Sequence, residues 1–329
     1  MDVVNKRSLP QAAQSFFSEL EKTGRRPSTI RRYAYDLENY FMWVRAAFAE
    51  KTWLHCTTED VASYLAYLTE TKRYSKRTVA RVTSVLKRFY EHFLTLGMVA
   101  ENPVEPMDVS NSNEDTFTAA DFISDQEAAQ LLESIPSLSG LSDQQIESRS
   151  FLASRNLAIV SIVLSCGMTL AELTAINMKD VHFEKKTVDI APTGHSARTL
   201  HLKPEDMKLV FAYYKKIPPA VRPRRRSRDP LFVAFDYQRN TYRWDYSEDA
   251  PKRLTEIAVQ KMIRQEVKRA GLRAGISLQH LRRTCILRRL QAGENAKDVQ
   301  ALTGMKTIVS LKKYIAAAAN DELPRFRGS

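Results

Sequence analysis

Between Ser154 and Ser165 the chain carries Leu157, Ala158, Ile159, Val160, Ile162, Val163 and Leu164, apolar on nearly every side of a helix. A helix without a polar face has to be enclosed by other elements. The surrounding sequence offers them. Ser124 opens a periodic stretch from Asp125 to Leu132, and Thr169 to Ile176 continues in helical spacing. The period then changes. Val181-His182-Phe183, Thr187 to Ile190 and Arg198 to Leu202 read as strands, with Glu184-Lys185-Lys186 as the first turn. Pro204 to Lys216 returns to helix, Leu231 to Phe235 reads as a short strand, and residues 254–270, 279–292, 295–303 and 307–318 all read as helix. This half is mostly helical around one small antiparallel sheet.

The first hundred residues read as a four-helix bundle. Ser8 to about Thr23 buries Ala12, Phe16, Phe17 and Leu20 and stops at Gly24. Pro27 opens a second helix with Ile30, Tyr33, Ala34, Leu37, Phe41 and Val44 on one stripe. Thr57 or Thr58 caps a third, and Ser75 caps a fourth that carries Val82, Val85, Leu86, Phe89 and Phe93. Residues 101–120 are polar and rich in Pro, Asn and Asp, which is the composition of a linker.

Charge narrows the function classes. The formal net charge is +12 over 329 residues. It is distributed as +6 in residues 1–100, −10 in 101–150 and +16 in 151–329. Two basic blocks around an acidic connector suit a polyanionic partner. The run from Arg222 to Arg228 is either a set of backbone contacts or a solvated charged loop. No stretch approaches eighteen uninterrupted apolar residues, so no membrane span is expected. Cys56, Cys166 and Cys285 form neither a metal spacing nor a disulfide framework. No metal and no cofactor is expected, and a reduced, cytoplasmic, nucleoid-associated setting is.

Three motifs, in order, carry a resemblance. Leu164-Ser-Cys-Gly-Met-Thr-Leu-Ala-Glu-Leu173 is followed by Lys179-Asp180-Val181. Leu281-Arg282-Arg283-Thr284 stands ten residues before Ala292-Gly293. Leu302-Thr303-Gly304 is followed by Tyr314. Together with Arg25-Arg26-Pro27-Ser28-Thr29-Ile30-Arg31-Arg32-Tyr33 at the opening of a bundle helix, they resemble the tyrosine recombinase (phage integrase or Xer-type) family. The resemblance implies a mainly α, two-domain, C-shaped clamp with a small antiparallel sheet in the second domain. Residues 1–100 would be a SAM-like core-binding domain, 101–120 an acidic linker, and 121–329 the catalytic-fold domain. In that family a tyrosine attacks a DNA phosphorus while arginines hold the phosphate oxygens, and a lysine and histidines move protons.

Residue by residue, the sequence departs from that pattern. The first arginine position is Thr169. The hairpin Pro192-Thr193-Gly194-His195-Ser196-Ala197 offers no lysine before Arg198. The first histidine position is Gln279, and His280, one place along, turns about 100° away on a helix. The residue after Gly304 is Met305. Arg282 and Tyr314 remain. Removing one preorganised oxyanion donor costs about 10²–10³ in rate, so four departures predict an inactive site.

Binding needs only phosphate neutralisation and groove contacts. Arg31, Arg32, Lys76, Arg77 and Arg81 stand at helix openings of the bundle, and Arg198, Arg282 and Arg283 map to the former cleft. The expected function is sequence-specific binding of double-stranded DNA by a pseudo-enzyme, as a transcriptional regulator such as a phage or mobile-element repressor. Self-association on DNA and a recombinase or regulatory protein partner are both compatible with it. Two alternatives stay open: a divergent recombinase acting through Tyr314, and an inactive accessory subunit of a recombination complex. Exchange of the C-terminal segment, Ile315 to Asn320 and beyond, between neighbouring copies is a further expectation from the resemblance.

Overall fold

Backbone capping signals in the sequence become helix ends in a computed structural model that describes residues 9–10, 13–25, 27–48, 50–107, 116–192 and 195–326. The chain divides into two units, residues 1–115 and 116–329, each with its own core.

In the first unit, α1 (Ala13–Lys22) ends where Gly24 takes a left-handed φ of 71°. The expected start at Ser8 lies outside the described residues. Pro27 sits at the first turn of α2 (Pro27–Ala47). Thr57 and Asp60 form a reciprocal capping box at α3 (Thr58–Glu70), and Ser75 accepts from the Thr78 N–H to start α4 (Lys76–Thr95). The centre is aromatic: Trp53 lies 4.9 Å from Phe89 and 4.7 Å from Phe93, ring to ring. The Tyr40 and Tyr90 hydroxyls meet at 2.7 Å, and Tyr90 donates to the Trp53 carbonyl at 2.7 Å, so the buried polar atoms are satisfied.

The expected linker is shorter than its composition suggests. Val104 is fully buried in the first core, Asn102 donates to the Lys87 carbonyl, and Glu105 pairs with Lys87 at 2.9 Å. One apolar side chain in a polar stretch is enough to bring the chain back onto α4. Residues 108–115 lie outside the described set.

The second unit starts with a 3₁₀ turn at Ala119–Asp121 and then α5 (Asp125–Ser134), whose Ser124 cap and Glu127 form another capping box. The enclosed helix is α6 (Asp143–Cys166), longer than the expected 154–165. Its first turns are polar and carry no continuous apolar face, so periodicity misses them. Gly167 ends it at φ 62°. After α7 (Leu170–Ala175) come β1 (Val181–His182), β2 (Thr187–Ile190) and β3 (Arg198–His201), antiparallel in that order, with Val188 opposite both Val181 and Leu200. Next is α8 (Pro204–Lys216). The strand expected at 231–235 pairs through isolated bonds as well as a ladder: the Leu231 N–H donates to the Ile176 carbonyl, Val233 bridges to Arg253, the Ala234 N–H donates to the Lys252 carbonyl, and Phe235 opens β4 (Phe235–Asp236). β4 pairs with β5 (Thr241–Tyr242), and β6 (Trp244–Asp245) with β7 (Ala250–Pro251). The expected single sheet is thus joined by two further ladders. They are too short to show alternation. The unit closes with α9 (Glu256–Arg269), α10 (Leu278–Gln291), α11 (Ala296–Thr303) and α12 (Lys312–Ala319).

α6 packs against α8 and α10, with Ala158, Ile159, Val160, Ile162 and Val163 in the core. Among the described helices it alone has the length and apolarity of a membrane span, over Gln145–Cys166, and here it is the central helix of the unit. The acidic run also has internal work. Asp121, Asp125 and Glu127 pair with Arg283, Arg288 and Arg273, so part of what reads as an acidic connector is counter-charge for α10 and the turn before it. In the basic loop, Arg222 donates to the Ile217 carbonyl, Arg224 pairs with Asp229, and Arg225 lies over Phe183, while Arg226 and Arg228 are exposed.

Phe89→Ala is expected to cost about 3–5 kcal/mol, because its ring is fully buried among Phe16, Phe41, Trp53 and Phe93. Native-state hydrogen exchange would show the loss in the amides of α2 and α4, with Phe89→Leu losing less.

Candidate functional site

Three of the residues singled out in the sequence, Thr169, Arg198 and Arg282, converge on one carboxylate. Thr169 caps α7 by accepting the Glu172 N–H at 3.2 Å, and the Glu172 carboxylate accepts the Thr169 N–H at 2.8 Å. That capping box turns Glu172 inward, where its side chain is 0% exposed. Arg198 on β3 forks onto it at 2.7 and 3.2 Å. Arg282 on α10 lies 3.9 Å away from it, donates to the Gly167 carbonyl and also reaches the Thr303 carbonyl at 3.2 Å. Arg198 additionally donates to the Leu302 carbonyl at 2.6 Å. Gly304 makes room for this: a Cβ there would lie 2.5 Å from the Arg198 guanidinium.

Electrostatics follow from this geometry. Burial alone would raise the Glu172 pKa, but Arg198 and the Thr169 N–H reverse it and leave the carboxyl below its ordinary value. Burial pulls Arg282 below its ordinary value, with Glu172 acting against that. His195, beside Gly304, is held below its ordinary value by burial and by Arg282, and its Nδ1 is buried with no hydrogen-bond partner in the protein.

Tyr314 on α12 is 6% exposed. Its ring lies 4.7 Å from Phe117, and Arg283, paired to Asp121, lies over the other ring at 5.3 Å. Burial pushes the Tyr314 hydroxyl up, and Arg283 and Arg282 act in the opposite sense. Met305 packs in the same small cluster as Tyr314. Gln279 is exposed on α10. His280 accepts the Ser277 N–H at 3.2 Å, which makes it part of the helix cap. Thr193 and Gly194 lie outside the described residues.

The guanidinium groups of Arg198 and Arg282, expected at the DNA-facing cleft, are engaged by Glu172 and by carbonyl oxygens, because a buried guanidinium needs internal acceptors. In this single chain the C-terminal segment lies on α10: Gln291 donates to the Pro324 carbonyl, accepts the Phe326 N–H, and Arg288 covers the Phe326 ring. Glu172 lies inside the first motif but was given no role there, and Phe117 belongs to no motif. The Thr169-x-x-Glu172 spacing is a capping signal that could have found the first; nothing local marks the second.

In the first unit Arg31, Arg32, Lys76 and Arg77 are exposed on α2 and at the start of α4. Arg81 is ion-paired to the buried Asp36 and is therefore half-buried. Arg32, Arg73 and Arg81 line a cleft of about 370 Å³ beside the Ser75 cap.

Comparison with known proteins agrees with this architecture. Residues 122–321 match the phage integrase family, and residues 13–95 match the phage integrase N-terminal SAM-like domain. Tyrosine recombinase XerC of Alcanivorax borkumensis is 21% identical over 305 residues, 92% of this chain and 88% of that one. Tyrosine recombinase XerC of a Roseiflexus species is 25% identical over 287 residues, 87% of this chain and 82% of that one. The Tn1549 transposon integrase, solved in complex with circular intermediate DNA, has the same fold, with a TM-score of 0.66 at 18% identity over 94% of this chain and 96% of that one.

Glu172→Gln is expected to destabilise the second unit by about 3–5 kcal/mol, since it strands two buried guanidiniums. The folded-state pKa of Glu172 is the lower one, so the unfolded chain takes up the proton first. The wild-type contribution is therefore complete above the ordinary value of 4.5 and is lost as pH falls below it. Denaturant midpoints measured from pH 7 to pH 3 should fall in the wild type and change less in Glu172→Gln.

Proposed function

This chain belongs to the phage integrase family of tyrosine recombinases, and we propose that it binds specific double-stranded DNA sites without cutting them. The observation that carries the proposal is the closed set Arg198, Glu172 and Arg282. A phosphoryl-transfer site needs guanidiniums whose donors aim at the place where charge develops. Here Arg282, the one clamp arginine that remains, is aimed at backbone carbonyls and faces Glu172, and Arg198 beside it is held by the same carboxylate and by the Leu302 carbonyl. Thr169, Gln279 and Met305 supply neither a clamp nor a proton donor, and Tyr314 lies under Phe117. Loss of strand transfer with retention of the fold is the reading these contacts support.

DNA binding rests on other residues. Arg31, Arg32, Lys76 and Arg77 offer exposed positive charge on one helix and at the opening of another, where phosphates are readily held. The relatives are recombinases, and the Tn1549 integrase was solved on DNA. A family member that binds without recombining fits a transcriptional regulator, such as the repressor of a phage or mobile element, because occupancy of a site is then its whole effect.

A second reading is strand transfer through Tyr314. It is favoured by the retained Arg282, with Arg283, beside the tyrosine. The two readings separate on one substrate. DNA recovered with the protein from native cells gives the duplex; a nicked version traps any covalent adduct. No adduct is expected for the wild type, and Tyr314→Phe should bind with unchanged affinity. An adduct that Tyr314→Phe abolishes overturns the proposal.

Binding to that duplex should weaken steeply as salt rises. Arg31→Ala combined with Arg77→Ala should lower affinity by roughly an order of magnitude and flatten the salt slope, if each contacts a phosphate. Fluorescence anisotropy between 50 and 300 mM salt would measure both.

A further inference from the structure

Three aromatic rings meet at the surface of the second unit. Phe211, Tyr214 and Lys215 share one face of α8, at the spacing of three and four residues that brings helix side chains together. Phe183, just after β1, packs on them: its ring lies 5.3 Å from Phe211 and 5.8 Å from Tyr214, and Phe211 lies 6.3 Å from Tyr214. Tyr214 is buried and Phe183 half-buried, while Phe211 stays 38% exposed. Phe183 leads into the turn that opens β2 at Thr187, whereas Arg198 pairs with Ile190 at the other end of β2. The length of that strand separates the rings from the Glu172 cluster.

Each ring carries its own cation. The Lys215 ammonium stands 5.9 Å over Phe211, the Arg222 guanidinium 5.6 Å over Tyr214 and the Arg225 guanidinium 5.4 Å over Phe183. A ring face attracts a cation without neutralising it. Arg222 also donates to the Ile217 and Lys215 carbonyls at 2.9 Å each, which fixes its plane. Among the described residues none of the three cations has a carboxylate partner, although Arg224 between them is paired with Asp229. Lys185 and Lys186 in the turn after Phe183 are exposed, as are Arg226 and Arg228 after Arg225. This face therefore holds uncompensated positive charge around a ring that is partly bare, a combination that selects its partner by opposite charge.

We propose that this face docks an acidic protein segment, with carboxylates on Lys215, Arg222 and Arg225 and an apolar side chain against Phe211. Carboxylates meet these cations in charge-assisted hydrogen bonds. Arginines already stacked on rings lose little freedom when they do so. Phe211 decides between polyanions. A duplex backbone offers phosphates but no apolar side chain to cover the ring, and an acidic peptide offers both groups. The inference does not rest on the DNA-binding reading, and it is tested without DNA.

Fluorescence anisotropy of labelled peptides with the full-length protein is the test. A peptide of three Glu-Leu-Asp repeats should bind, and a peptide of three Glu-Ser-Asp repeats, equal in charge, should bind about tenfold more weakly. Phe211→Ser and Arg225→Glu should each weaken the Glu-Leu-Asp peptide by about tenfold. Lys261→Glu, the same charge change at an exposed position on α9, should weaken it by less than about twofold. Arg225 is exposed, so Arg225→Glu carries the test alone if Phe211→Ser fails to fold. No binding of the Glu-Leu-Asp peptide, equal affinity for the two peptides, or an affinity indifferent to Arg225→Glu overturns the proposal. So does binding to a random-sequence duplex or to phosphatidylglycerol vesicles that Phe211→Ser and Arg225→Glu abolish, because the face then serves a different polyanion.

Discussion

The second unit is organised by a single negative charge. Glu172 belongs to a six-residue helix that is too short to be stable alone. It is held by its Thr169 cap and by two guanidiniums that arrive from β3 and α10. Through the carbonyls of Gly167, Leu302 and Thr303, the same arginines tie down the ends of α6 and α11. Five elements meet at this point. A buried ion pair is seldom worth more than a well-packed apolar replacement. Its value here is directional, because each donor has one place to go.

On the proposed reading, the same arrangement shows how a fold would outlast its chemistry. In a cleft that holds phosphate, positive charge must remain unpaired by protein so that the ligand can pair it. Once internal acceptors take over that task, the arginines stabilise the fold whether or not a ligand arrives. The net charge of the chain then overstates what is available to a partner. Arg149, Arg198, Arg224, Arg273, Arg283, Arg288 and Arg289 all have carboxylate partners in the second unit. Exposed positive charge includes Arg31, Arg32 and Lys76 in the first unit and Arg226 and Arg228 in the second.

What was legible in the sequence was local. Ser75, Ser124 and the pair Thr57 and Asp60 announce helix starts, Gly24 and Gly167 announce stops, and the switch to a two-residue period marks the three-stranded sheet. The family motifs located Thr169, Arg198, Arg282 and Tyr314 in one neighbourhood. What stayed hidden depends on distant partners. No local signal says that Arg198 will find Glu172, that Asp121 will pair with Arg283, or that Val104 will turn a polar stretch back onto α4. The first turns of α6 and the two-residue ladders after Phe235 are likewise set by what packs against them.

Phe117 enters the second unit and Tyr314 lies close to its exit, and the two rings touch. Phe326 returns along the same helix, α10, a few turns further on. Phe117 and Tyr314, almost two hundred positions apart in the sequence, are therefore fastened to one another by a ring contact. A displacement of the Phe117 ring would be felt at the tyrosine helix as well as in the Phe122 cluster.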